Sequence, residues 1–221
     1  MKPYDWLTFD CYGTLIDWEE GIRTSLEGLC REKTPGVEPA TLPERYIEVE
    51  LAVESEGYRP YREVLRAGVR RLFGAMNVAL TEEEASVLVR TLPGWPPFPE
   101  VRETLLRLGE RYRLAILSNI DEDLIAQSVR RMGVRFDAVI TAERVRSYKP
   151  APAHWMEMLE ACGTSVDRTL HVAASLEHDV RPAKGLGFDC VWVDRHGGGD
   201  PGGVRPDHIF RDLRPLEALL P

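Results

Sequence analysis

Four short apolar runs punctuate the second half of this chain: Leu114-Ala115-Ile116-Leu117, Ala138-Val139-Ile140, Leu170-His171-Val172-Ala173 and Cys190-Val191-Trp192-Val193. Each follows a segment with apolar residues at helical spacing: Glu100 to Glu110, Asp123 to Met132, Ala153 to Cys162 and Val180 to Leu186. The runs have the length of strands, and apolarity without alternation means that both faces are covered. A helix before each strand carries the chain back so that successive strands point the same way. The pattern therefore predicts a parallel sheet with right-handed crossovers. Trp6-Leu7-Thr8-Phe9 supplies a further buried strand, and His208-Ile209-Phe210 an edge strand. The expected fold class is α/β, with a Rossmann-like parallel sheet as its core.

Between Asp17 and Leu92 the alternation stops. The spacing of Trp18, Ile22, Leu26 and Leu29 predicts a helix, and Glu44 to Glu56, Tyr61 to Met76 and Thr81 to Leu92 predict three more. Thr81 with Glu84 three residues later is a capping box that opens the last of them. A Pro- and Gly-bearing break spans Thr34 to Pro43. The segment Leu92-Pro93-Gly94-Trp95-Pro96-Pro97-Phe98-Pro99 cannot continue a helix and reads as the hinge back to the sheet. The expected division is a core of residues 1–17 and 93–221 and an inserted helical cap of residues 18–92. Such a cap could close over a crevice and exclude water.

The net charge of -8 argues against a nucleic-acid surface, which needs a basic stripe. No apolar run approaches the roughly 20 residues needed to cross a bilayer. Met1-Lys2-Pro3 leads into the first strand without a signal-peptide pattern, so a cytoplasmic location is expected. Cys11, Cys30, Cys162 and Cys190 lack paired spacing and read as reduced core thiols. The glycines between His196 and Pro206 lack the strand-before and helix-after setting of a phosphate cradle.

In an open parallel sheet the chemistry collects outside the carboxyl ends of the strands. Asp10 ends the first run and is a candidate nucleophile. Ser118 and Asn119 end the second, Lys149 lies in Ser147-Tyr148-Lys149-Pro150, and Ser175 and Asp179 follow Leu170 to Ala173. Singly, each reads as a turn, cap or solvated residue. Lys149 is more informative, because the 28 basic residues comprise only four lysines against twenty-four arginines. Polar residues at successive strand ends point together to one site.

The constellation resembles the haloacid dehalogenase superfamily. Asp10-Cys11-Tyr12-Gly13-Thr14 matches its first motif, Ser118 its second, Lys149 before Pro150 its third and Asp179 its fourth. Phosphatases of the superfamily carry a second Asp two residues after the nucleophile, where this chain has Tyr12. Their fourth motif adds an acid where this chain has Ala174, leaving Asp10 and Asp179 as a poor octahedral cage for Mg²⁺. The sequence looks more like the type II 2-haloacid dehalogenase branch, which needs no metal or other cofactor.

That resemblance implies displacement of halide from C2 of a short 2-haloacid by Asp10, forming an aspartyl ester that water hydrolyses to the 2-hydroxy acid. Lys149, held by Asp179, would keep Asp10 ionised. Thr14, Ser118 and Ser175 would orient the Asp10 and substrate carboxylates. Asn119 and a cap arginine would grip the halide, the arginine being Arg45 or, as its rival, Arg59 or Arg62. Tyr12 and Trp155 would contact substrate, Trp155 standing where the relatives carry Tyr. Leu176 replaces an Asn that helps place substrate or the hydrolytic water, a role open to Glu177 or His178 in the same loop. Relatives are commonly homodimers, and the aromatic cap could support one. Two alternatives stay open: a Mg²⁺-dependent phosphatase of small metabolites, and a non-catalytic protein that binds small carboxylates.

Overall fold

The computed structural model describes residues 4–220. Met1 to Pro3 and Pro221, assigned above to the core, lie outside the described residues. Strand β1, Trp6–Phe9, is buried along its whole length. It is flanked on one side by β2, Arg113–Ser118, and on the other by β4, Thr169–Ala173, and every pairing in the sheet is parallel. Outside these lie β3, Ala138–Thr141, next to β2, then β5, Asp189–Val193, and β6, His208–Phe210, giving the order β3-β2-β1-β4-β5-β6. The edge strand over His208 to Phe210 therefore forms. Because the chain runs outward from β1 to β3 and returns to the other side of β1 as β4, the strand order reverses at β1. Two crossovers leave in opposite directions there, opening a crevice at the carboxyl end of the central strand.

The first interruption of the sheet is wholly helical among the described residues. It contains α1, Trp18–Lys33; α2, Leu42–Glu54; α3, Tyr61–Gly74; α4, Glu82–Ala85; and α5, Val87–Thr91. Asp17 caps α1 by accepting from the Glu20 amide at 3.1 Å. Gly21 is required on α1, because a Cβ there would stand 2.4 Å from the Trp95 ring. The Thr81 capping box is formed, but the expected single helix from Thr81 to Leu92 breaks at Ser86, whose hydroxyl donates to the Glu82 carbonyl at 2.8 Å and accepts from Arg66 Nε at 3.0 Å. A serine that bonds its own backbone competes with helix continuation.

The crossovers are α6, Val101–Leu108; α7, Glu122–Met132; a short α8, Ala142–Val145; α9, Ala153–Cys162; and α10, Arg181–Gly185, with α11, Pro215–Leu219, closing the chain. The helix expected from Val180 begins instead as a single π turn over Leu176–Val180 that runs into α10. Such turns recur at functional sites because the wider ring redirects a side chain. One core cluster joins Leu7, Phe9, Ile116 and Val172 to the helical insertion through Leu15, Ile22, Tyr46 and Phe73. A second, including Ala115, Leu117, Trp155 and Val180, lies on the other face of the sheet. The four cysteines are free.

Candidate active site

Asp10 sits one residue beyond β1, at the mouth of the crevice. Its Oδ1 accepts from Lys149 Nζ at 2.8 Å and its Oδ2 from the Thr14 hydroxyl at 2.7 Å. Thr14 returns on a tight loop in which Gly13 has φ +93, and a Cβ on Gly13 would stand 3.0 Å from Trp18 Nε1. The Thr14 hydroxyl also accepts from the Ala174 amide at 2.9 Å, stitching the loops after β1 and β4 together. From the far side Arg195 clamps the Thr14 carbonyl, bonds Glu100 at 3.0 Å and stacks over Phe98.

Lys149 is 2% exposed. Its three donors are matched by Asp10, by Asp179 Oδ1 at 2.6 Å and by the Leu117 carbonyl at 3.0 Å. Burial pulls the lysine toward neutrality, but the two carboxylates more than reverse this, so the ammonium holds its proton more tightly than a free lysine. Burial likewise pushes Asp179 up, but Lys149 and His171 overcome it and bring the carboxyl down to about 2. Asp10 goes the other way. Burial raises it, and Lys149 offsets part of that rise while the Asp179 charge adds to it.

Asn119 fixes the lysine from behind, its Oδ1 accepting from the Lys149 amide at 2.7 Å and its Nδ2 donating to the Lys149 carbonyl at 3.1 Å. Ser175 caps the π turn by accepting from the His178 amide at 3.1 Å. The cavity in front of Asp10 measures about 1020 Å³ and is lined also by Tyr12, Ser118, Asn119, Lys149, Ser175 and Asp179. All the expected residues of the sheet side except Trp155 therefore meet in one place.

Two of the expected contacts fall elsewhere. Trp155 is fully buried in the second core cluster, with its ring edge-on to His171 at 5.5 Å, and it is not among the residues that line the cavity. Arg45 does not line it either. The α2 residues that do are Pro43, Glu44, Ile47, Glu50, Leu51 and Glu54. At 3.6 residues per turn Arg45 lies roughly 160° around the helix from the centre of that face. Its rivals are engaged in ion pairs, Arg59 with Glu56 and Arg62 with Asp121 and Asp123.

Three site residues went unnoticed in the sequence. His171 presents Nε2 to Asp179 Oδ1 at 3.2 Å and Nδ1 to the Thr8 hydroxyl at 2.9 Å, which suits the tautomer with its proton on Nε2. Its signal was a histidine inside an apolar strand, paired in register with Thr8 of β1. Glu50 and Glu54, one turn apart on α2, face Asp10 across the cavity. Burial pushes Glu50 up to about 7, against the hydrogen bond that Tyr61 donates at 2.6 Å, and burial followed by the Glu50 charge pushes Glu54 up to about 8. The signal for Glu50 was a carboxylate in the buried stripe Leu42, Tyr46, Glu50, Val53.

Among the described residues no group of three or more His, Cys, Asp and Glu side chains is arranged to hold a metal ion. The Lys149 ammonium bridges Oδ1 of Asp10 and Oδ1 of Asp179, and the Thr14 hydroxyl takes the other oxygen of Asp10.

A family model described as haloacid dehalogenase-like hydrolase matches residues 4–187. Haloacetate dehalogenase H-2 of Moraxella sp. (strain B) is 31% identical over 204 residues, 89% of this chain and 88% of that protein. Phosphoserine phosphatase of Thermus thermophilus is 30% identical over 203 residues, 89% of this chain and 75% of that one. The solved structure of L-2-haloacid dehalogenase from Xanthobacter autotrophicus with chloropropionic acid covalently bound superposes with a TM-score of 0.84 at 22% identity, covering 98% of each chain. At that identity the likeness is one of fold. No helix among the described residues is long and apolar enough to cross a membrane.

Proposed function

The chain belongs to the haloacid dehalogenase-like hydrolases, and from that premise we propose that it hydrolyses a short 2-haloacid to the 2-hydroxy acid through an ester on Asp10, without a metal ion. The observation that carries this reading is the Lys149 ammonium bridging Asp10 and Asp179. An ammonium fixed there offsets part of the rise that burial imposes on Asp10 and so favours the carboxylate that a nucleophile needs, and it engages one oxygen of each acid.

Asp10 attacks C2, its new C–O bond forming as the carbon–halogen bond breaks. Halide departs as an anion and needs no proton. Ser118 and Ser175 present polar groups to the substrate carboxylate and Asn119 lines the cavity for the halide, while Ile47, Leu51 and Leu176 give the cavity an apolar side. The helices of residues 18–92 act as a lid that keeps bulk water from the ester.

Phosphate-ester hydrolysis is the competing reading, favoured by the phosphoserine phosphatase relative. It requires an acid for the leaving alkoxide. The Tyr12 hydroxyl at the corresponding position is hydrogen-bonded to Ser128 at 2.8 Å, and burial drives its pKa well up, so it is poorly suited to that task.

The test is halide release from chloroacetate and from each enantiomer of 2-chloropropionate in excess EDTA. Release matched by 2-hydroxy acid and unchanged by the chelator is expected. Mg²⁺-dependent cleavage of an aryl phosphate without halide release would replace this reading with the phosphatase one.

A further inference from the structure

A histidine inside a buried parallel strand is out of place unless both ring nitrogens find partners, because an unpaired polar group there costs free energy. His171 of β4 is fully buried, and both of its nitrogens are engaged. Nε2 stands 3.2 Å from Asp179 Oδ1, and Nδ1 stands 2.9 Å from the hydroxyl of Thr8, its in-register neighbour on β1. The Trp155 ring meets the imidazole edge-on and holds its plane. An ionised carboxylate can only accept, so Nε2 carries the proton toward Asp179 and Nδ1 accepts from Thr8.

Asp179 lies on the single π turn Leu176–Val180, whose backbone leaves the direction of the carboxylate to its neighbours. Two of them settle it. Lys149 from the loop before α9 and His171 from β4 both donate to Oδ1, at 2.6 and 3.2 Å. Among the described residues every hydrogen bond that the Asp179 carboxylate accepts falls on Oδ1, so Oδ2 is the oxygen left for the cavity that Asp179 lines. The rest of the turn is otherwise occupied. Glu177 turns outward into a two-point pair with Arg181 at 2.9 and 3.1 Å, and His178, which also lines the cavity, faces Glu54 of α2 at 3.9 Å. Asp179 is the acid that one ammonium ties to Asp10, and its Oδ2 is available to a water that attacks the ester there.

We propose that His171 is a positioning residue for the hydrolytic half-reaction, holding Asp179 with Oδ2 toward the water that attacks the Asp10 ester. The inference rests on the ester mechanism proposed above. Water forms its bond to Cγ of the ester as its proton passes to Oδ2 of Asp179. Collapse of the tetrahedral adduct breaks the bond between Cγ and the substrate oxygen, which takes that proton from Asp179 and leaves as the 2-hydroxy acid. The acid left on Asp10 gives its proton to solvent and returns to the carboxylate.

Displacement of halide does not call on His171. The partners of Asp10 are Lys149 and Thr14, and His171 is not among the residues that line the cavity. Loss of its N–H therefore falls on the second half-reaction.

The test follows chloroacetate by rapid quench, reading halide and intact protein mass for the wild type, His171→Phe, His171→Gln and Thr8→Val, all checked for folding by circular dichroism. Phe keeps a ring and no donor, and the Thr8 hydroxyl retains the Leu170 carbonyl as an acceptor at 3.4 Å. The Gln amide can donate where Nε2 did. His171→Phe is expected to release one equivalent of halide at the wild-type rate, accumulate the carboxymethyl ester on Asp10 and turn over about 10-fold more slowly. His171→Gln should restore most of that loss. Thr8→Val keeps the imidazole but removes the hydroxyl that sets its tautomer, and it should slow hydrolysis in the same direction by less. Turnover by folded His171→Phe at the wild-type rate overturns the proposal while leaving dehalogenation standing. So does a Gln variant no better than Phe, or a loss shared equally by the halide burst and hydrolysis, which is what a merely structural role produces. Should both changes at 171 prevent folding, hydrolysis by Thr8→Val at the wild-type rate overturns it. No halide from the wild type removes the ester mechanism, and this inference with it.

Discussion

Replacement of Asp10 by Asn is expected to lower halide release by at least about 10⁴-fold, as loss of a covalent nucleophile does in other hydrolases. The fold should survive. Asn has nearly the shape of Asp, and Lys149 keeps Asp179 and the Leu117 carbonyl as acceptors. The substitution also removes one of two buried carboxylates that share a single ammonium, and with it the like-charge repulsion through which Asp179 raises Asp10. Thermal stability is therefore expected to hold or rise, the usual sign of a strained catalytic group. Halide assay and thermal melting of the purified variant check both halves. An inactive variant that is also unfolded would leave the nucleophile unassigned, whereas an active one would remove Asp10 from the role.

Lys149→Met has the opposite effect on the fold. Met fills the volume of the lysine stem but leaves Asp10 and Asp179 buried without their cation. Breaking a buried ion pair from one side costs about 3–5 kcal/mol. The pH dependence has a definite sign. In the wild type Asp179 is held below its unfolded value, so its contribution is present above roughly pH 4 and is lost as the pH falls toward its folded value of about 2. In the variant burial acts unopposed by the lysine, both carboxyls are raised, and the deficit grows as the pH rises through those raised values. Urea unfolding at pH 4.5 and pH 7.5, values on the order of the carboxyl range and of neutrality, should show the larger loss at neutral pH. Activity should fall as well, because the substrate's own negative charge meets two uncompensated carboxylates.

The sheet side of this site could be read from the sequence because it is a matter of strand ends. Asp10, Ser118 and Asn119 each close an apolar run, and in a parallel sheet such residues converge whatever their separation in the chain. Lys149 stood out because lysine is scarce here, and the structure brings it against both acids. The insertion was harder to read. Its helices follow from spacing, but which face of α2 meets the crevice depends on how α2 rotates to bury Leu42, Tyr46 and Val53. That rotation takes Arg45 away from the cavity and brings Glu50 and Glu54 into it. Trp155 was placed by its offset from Lys149, yet α9 packs on the sheet and turns the ring into the core rather than the crevice. The π turn at Leu176–Val180 has no period that a helical pattern could detect, and it is what presents His178.

Formation of the ester is tested most directly by one turnover in heavy-oxygen water, with enzyme in excess over 2-chloropropionate. An ester on Asp10 predicts that the first lactate carries ordinary oxygen from the side chain, and that the heavy atom appears in the peptide containing Asp10. Heavy oxygen in the first product, with none in that peptide, would mean that water attacks the substrate directly and would contradict the account.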